Sequence, residues 1–310
     1  MTDRRRTNAP PGGTTAPVFT STPTAIETKS SRSRGPNDLR KIFLRTGLVP
    51  SASGSSYLEL QPSIPQDNMT TFSSRTSSLK LTCTVHGPRP LPRTAPFSPN
   101  LLLSTHVKFA PFASKQRRGY LRDSAERDLG VHLETALRGI IIGERFPKSA
   151  CEVVITVLEG EENAPTAGER KQSLGGVGMM NVLAGCITAA SAAIVDAGID
   201  CVDLVSGGVA ASTFADDETA EKDISVLDPC PDEHDNLRAA CVVGYLQSRD
   251  EVTELWMKGD AGADAESLID RAVEAAVLSR TVLADAVKEG AEAKFGLSST
   301  AGAADAVMTE

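Results

Sequence analysis

Residues 123–158, DSAERDLGVHLETALRGIIIGERFPKSACEVVITVL, change periodicity midway, and that change decides the fold class. In the first half Leu129, Leu133, Ala136, Leu137 and Ile140 recur at helical spacing, with Glu126, Arg127 and Glu134 largely off that face. Asp123 or Ser124 can cap the helix, and Glu126 can complete a capping box from Asp123. The spacing predicts a helix over 123–143, ended by Phe146-Pro147. The second half, from Cys151 to Leu158, is β-branched and apolar on both faces, as a strand covered on two sides should be.

Working outward, a polar break at 159–173 leads to a nearly all-apolar helix over 179–197, closed by Gly198. Such a helix packs deep in a protein. A strand ending in small residues is expected over 203–210, two more over 238–246 and 252–257, and a final amphipathic helix over 264–288. Upstream, residues 57–60, 79–85 and 101–109 carry strand signals. The five prolines of 87–100 exclude central strand and helix, so that stretch is expected to be a loop. Long helices alternating with strands predict a mixed α/β (α+β) domain over 35–290, with helices packed on sheet. Loop insertions are expected near 61–77 and 159–174. Residues 1–34, rich in Ser, Thr, Pro and Arg, read as a disordered arm, and 291–310 as a flexible tail that frays after Gly290.

Composition narrows the function classes. The 310 residues carry a net charge of −8 and only 4% aromatics. A basic nucleic-acid module or a broad aromatic stacking platform is therefore disfavoured, and RNA contact would need a local basic patch. The six cysteines form no C-x-x-C pair and sit mostly in apolar runs, which predicts buried free thiols and no zinc site. The most apolar stretch, 177–195, is interrupted by Asn181, Gly185, Thr188 and Ser191, so a buried helix is favoured over a membrane span.

Several segments resemble the ribonuclease PH family, in the family's order. Arg34-Gly35-Pro36-Asn37-Asp38-Leu39-Arg40 is similar to its opening R-x-P-x-x-x-R stretch, and Gly54-Ser55 to its G-S turn. TCTVHGPR at 82–89 resembles the strand and V-x-G-P-R turn of exosome members. The segment 126–159 is the longest match, and NVLAGCITAASAAIVDAG at 181–198 resembles the helix N-A-A-x-x-A-L-x-D-A-G. The resemblance implies a β-α-β-α fold with mixed sheets and packed helices. It also implies a place in the six-membered core ring of the eukaryotic RNA exosome, in the nucleus, nucleolus and cytoplasm. The implied partners are other ribonuclease PH-like ring subunits, S1- and KH-type cap proteins, an associated catalytic ribonuclease and RNA, with no membrane.

Phosphorolysis must hold a phosphate dianion beside an anionic backbone, which calls for N–H groups and a cation. Active members of the family do this with a G-G-T-R-x-x-[ST]-like loop. Here LGGVGMMN at 174–181 keeps glycines but has lost the arginine and the hydroxyl. The family's acidic run D-x-D-x-x-E-E-D is matched by ISVLDPCPDEHD at 224–235, where Asp228 could align but two prolines recast the backbone. Asp232, Glu233, His234 and Asp235 read as a solvated loop rather than a metal site. His86, His106 and His132 read as structural or surface residues. No catalytic residue, metal or cofactor is expected, and a non-catalytic ring subunit is favoured over an active phosphate-dependent 3′-5′ exoribonuclease. The densest basic run of the folded part, 115–122, offers Lys115, Arg117, Arg118 and Arg122 to RNA phosphates, with Tyr120 able to stack. Its family counterpart faces the pore. Arg89 and Arg93 are weaker candidates, and Arg4, Arg5, Arg6, Arg32 and Arg34 read mainly as a solvated tail.

Overall fold

The computed structural model describes residues 32, 34–61, 78–114, 123–161, 176–213, 224–231, 233–234 and 237–296. Nearly all of both expected insertions, most of the expected arm and tail, and the whole basic run with Lys115, Arg117, Arg118 and Arg122 lie outside these residues.

Residues 123–158 fold as helix then strand, but the helix is shorter than the expected 123–143: it stops at Arg138 with Gly139 as its C-cap, and Gly143–Arg145 form a separate 3-10 turn. Helix α1, Ser124–Arg138, is capped by Asp123 with a complete capping box through Glu126, and it buries Leu129, Leu133, Ala136 and Leu137. Strand β5, Ser149–Glu159, follows. It pairs in parallel with β4, Leu102–Phe109. Parallel neighbours need a crossover connection, and α1 supplies it. On its other side β5 pairs antiparallel with β3, Leu79–Pro90. With β2, Gly54–Leu60, and β1, Ile42–Thr46, these form a mixed sheet in the order β1-β2-β3-β5-β4.

The second sheet, β7-β6-β8-β9, is antiparallel throughout. Its strands are β6, Val205–Thr213; β7, Ile224–Leu227; β8, Leu237–Leu246; and β9, Glu251–Gly259. Helix α2, Val177–Asp196, packs between the two sheets. It is long and apolar enough to cross a membrane, yet nearly all of it is enclosed by protein. Helix α3, Ala265–Phe295, covers the far face of the second sheet. The layers run sheet, α1 and α2, sheet, α3, which is the expected β-α-β-α arrangement.

The small residues of β6 have a packing reason. A Cβ on Gly207 would collide with the α2 backbone at Ala184, and one on Gly208 with the α3 backbone at Ala272 and Ala276. Two adjacent glycines therefore let helices lie against both faces of one strand.

Further points differ from the sequence reading. Residues 87–90 continue β3 instead of opening a loop, because a register shift between His86 and Arg89 lets the proline-bearing end stay on the ladder. Helix α3 runs to Phe295, past Gly290, ending at Gly296 in the left-handed conformation with Lys294 in its last turn. Strand β1 carries no strong alternation and was not anticipated; it is held by antiparallel pairing to β2 and by α3.

Candidate functional site

The end of α2 that begins at Gly176 meets the turn after β7 and the segment leading into β1. Arg40, from that segment, is buried with its side chain 1% exposed. Its guanidinium forks onto Asp228, with Nε donating to Oδ2 at 2.8 Å and Nη2 to Oδ1 at 2.7 Å. The Arg40 backbone N–H also donates to Asp228 Oδ2, at 2.9 Å. Arg40 Nη1 donates to the fully buried Glu161. The second oxygen of Glu161 accepts from Asn181 Nδ2 at 2.5 Å, and the same amide nitrogen donates to Pro229 O at 2.8 Å.

A second tier comes from residues expected to lie in a solvated arm. Arg34 Nη1 donates to Asp228 Oδ2 at 3.0 Å and its Nη2 to Glu233 Oε2 at 2.8 Å. Arg32 Nη2 donates to the carbonyls of Gly35, Asp38 and Leu227 at 2.9–3.0 Å. The Leu227 N–H donates to Pro36 O at 2.9 Å. Arg32 and Arg34 are thus committed inside the protein. Glu233, expected in a solvated loop, has a side chain only 1% exposed, because these arginines neutralise it.

The electrostatics follow from that geometry. Burial would push the Asp228 carboxyl up, but the Arg40 and Arg34 guanidiniums outweigh it and hold it well below the usual carboxylate range. Burial dominates at Glu161 and raises it, with Arg40 offsetting only part. Burial would lower Arg40, but Asp228 and Glu161 reverse that and keep it firmly charged. Asp228 sits at φ +48°, and its N–H donates to Val209 O at 2.9 Å. Aspartate is among the few non-glycine residues that enter the left-handed region readily.

This arrangement bears directly on phosphate chemistry. A helix N-terminus attracts anions through its free N–H groups. At α2 the Glu161 carbonyl lies so close to Gly178 that a Cβ there would strike it, and the Glu161 carboxylate already occupies Arg40 and Asn181. Lys258 of β9 brings its Nζ beside Gly176, a cation that the local sequence around the glycines does not reveal. The cavity bordered by Arg40, Asn181, Asp228, Leu58 and Gly207 has a volume of about 40 Å³. That admits a water or two and no nucleotide.

Ala110 N–H donates to Val157 O at 2.9 Å and Gly160 N–H to Ala113 O at 3.0 Å, so segment 110–113 lies beside Gly160; the basic run with Lys115, Arg117, Arg118 and Arg122 lies outside the described residues. The other expected features fall elsewhere. His132 bonds Glu254 at 2.7 Å and stacks on Trp256 with centroids 5.1 Å apart, while His106 lies 3.5 Å from Glu152. Arg89 lies 3.4 Å from His86 Nδ1 at the surface. All six cysteines are free thiols, five of them buried. The sequence reading missed the roles of Arg40, Glu161 and Asn181. The R-x-P-x-x-x-R spacing contained Arg40, but its partners lie 121 and 188 residues away.

Comparison with known proteins bears on the family and the fold. The family model for the 3′ exoribonuclease family, domain 1, matches residues 38–200. The chain is 50% identical to "Exosome complex component MTR3" of Chaetomium thermophilum, over 93% of this chain and 99% of that protein. It is 29% identical to the Schizosaccharomyces pombe protein "Exosome complex component mtr3", over 91% and 95%. Among solved structures, rice Rrp46 shares the fold with a TM-score of 0.61 at 17% identity, covering 83% of this chain and 98% of that one.

Proposed function

Since this chain belongs to the ribonuclease PH (3′ exoribonuclease) family, we propose that it acts in the RNA exosome as a non-catalytic ring subunit. In this role it supports 3′-5′ RNA processing and degradation by building the ring and lining part of the RNA path. One observation carries the reading: the place where the family's phosphate and acid chemistry would meet is filled by Arg40, Glu161, Asn181 and Asp228 bonded to one another. Phosphate would have to displace a buried carboxylate from its own arginine, and Asp228 is fully engaged as an ion-pair partner. The partners are other ribonuclease PH-like ring subunits, S1- and KH-type cap proteins, and a catalytic ribonuclease that performs the cleavage. The working compartments are nucleus, nucleolus and cytoplasm.

Purified chain, alone and assembled with its ring partners, is incubated with single-stranded RNA and inorganic phosphate. The expected result is no phosphate-dependent release of nucleoside diphosphates attributable to this chain. Phosphorolysis by the purified chain alone would overturn the reading. Lys115, Arg117, Arg118 and Arg122 form the RNA-contacting part of the proposal, through phosphate contacts that carry no sequence information. Reversing Arg117, Arg118 and Arg122 to glutamate in the assembled complex should weaken RNA binding and flatten its salt dependence. The slope should fall by roughly 0.7 for each single-strand phosphate that is no longer neutralised. An unchanged slope removes this run from the RNA path.

A further inference from the structure

The cavity bordered by Arg40 and Asn181 lies where the first sheet, α2, β6 and α3 meet, and most of its wall is apolar. Leu39, Ile42 and Asp228 are the only wall residues not fully buried, so it opens beneath the segment that enters β1. The amide of Asn181 has one possible orientation. Its Nδ2 donates to Glu161 at 2.5 Å and to Pro229 O at 2.8 Å, and a peptide carbonyl can only accept. Neither of those residues borders the cavity, so Oδ1 is the amide atom left to face it. Asn181 is 2% exposed, and among the described residues no donor reaches its Oδ1. An acceptor buried in that way is costly unless a donor is supplied.

The rest of the wall says what kind of donor fits. The Thr188 hydroxyl is spent, donating to Ala184 O and accepting from the Gly207 N–H, each at 3.0 Å. The Ser279 hydroxyl donates to Ala275 O at 3.0 Å and keeps its lone pairs. Arg40 gives one N–H from each nitrogen to Asp228 and Glu161, which leaves the second hydrogens of Nη1 and Nη2 over. Arg40 and Asn181 bond the two oxygens of the same Glu161 carboxylate, so one small molecule can reach both. Charge does not call for an ion. Arg32, Arg34 and Arg40 are matched by Glu161, Asp228 and Glu233. A volume of about 40 Å³ leaves no room for a ring. We infer that this cavity is a binding site for an ordered water, which donates to Asn181 Oδ1 and accepts from Arg40. The water joins the ion-pair cluster to the layer interface, because Asn181 is held at Glu161 by its nitrogen and at the water by its oxygen. The inference needs no partner chain and stands apart from the ring-subunit reading.

Magnetic relaxation dispersion of the water oxygen, on the full-length chain, counts internal waters that exchange slowly. Asn181→Leu keeps the side-chain size and removes the acceptor. It should lower the dispersion amplitude by roughly one water. Xenon, followed by its own resonance, should find no saturable site in the wild-type chain, since xenon enters cavities that are dry and apolar. Asn181→Leu also takes a donor from Glu161, and circular dichroism shows whether it folds. Should it fail to fold, Ile42→Phe decides in its place. That variant fills the half-buried side of the cavity and leaves every bond of Asn181 intact, and it should lose the same amplitude. Wild-type amplitude in the deciding variant, or saturable xenon binding by the wild-type chain, overturns the inference.

Discussion

Arg40 and His132 each face a buried carboxylate across a long sequence separation, and they behave as opposites. Arg40 is sealed on all sides, bound to Glu161 and Asp228, with Arg34 and Asn181 bonded to those carboxylates in turn. His132 holds Glu254 at 2.7 Å from the partly open side of α1, with a side chain 30% exposed. The first contact closes a site where the family's chemistry would need an accessible cation and anion. The second fastens α1 to β9 while leaving the outer edge of that strand free. Where the chain has internalised its charges they are spent on one another, and where contacts stay at the rim part of the surface remains open to water.

The largest effect should come from Arg40→Ala. It leaves two buried carboxylates without their main cation, and breaking such a group from one side costs about 3–5 kcal/mol. Urea unfolding of the isolated chain measures this. Arg40→Lys should recover only part of the stability, because an ammonium cannot fork onto Asp228 and reach Glu161 as well. A mild Arg40→Ala phenotype would mean that the cluster is not what ties residues 32–40 to the β7 turn.

Acid should act through the same cluster. The Asp228 carboxyl is lowered in the folded state, so its stabilisation is present above its unfolded value of about 3.9. It is lost as the pH falls on through its folded value. Asp228→Asn should therefore flatten the acid limb of the stability curve. Glu161 is raised and has the opposite sign. Its contribution is full below its unfolded value of about 4.3 and declines as the pH rises through the folded value. Glu161→Gln should then gain on wild type as the pH rises across that window. Identical pH profiles for wild type and both variants would break the electrostatic account.

These residues also mark how far the sequence could be read. α1 and β5 were legible because their pattern is local: the capping box spans the four residues 123–126 and the apolar face repeats every turn. α2 was legible as a buried helix for the same reason. The loss of the arginine and hydroxyl from the glycine loop was legible at residues 177–181, yet what fills the site was not. Glu161 lies at the border of an expected insertion, and Arg32 and Arg34 at the border of an expected arm, so low-complexity surroundings hid three buried charges. Glu233 sits among acidic and polar neighbours, and only the arriving arginines explain its burial. Ion pairs across more than a hundred residues leave no periodic trace. The proline-bearing end of β3 was hidden differently, since a register shift is a property of the pair and not of one strand.

The smallest effect should come from His132→Ala, and it is the sharpest check on the contrast. The substitution removes one hydrogen bond to Glu254 and one ring face from Trp256. Water can reach the His132 side of the pair, so solvent replaces part of what is removed, and the cost should be about 1 kcal/mol. Because Trp256 is the sole tryptophan, its fluorescence reports this region alone, and the emission should change even where the unfolding midpoint hardly moves. A cost in the isolated chain as large as that of Arg40→Ala would abolish the distinction between a sealed and an open contact.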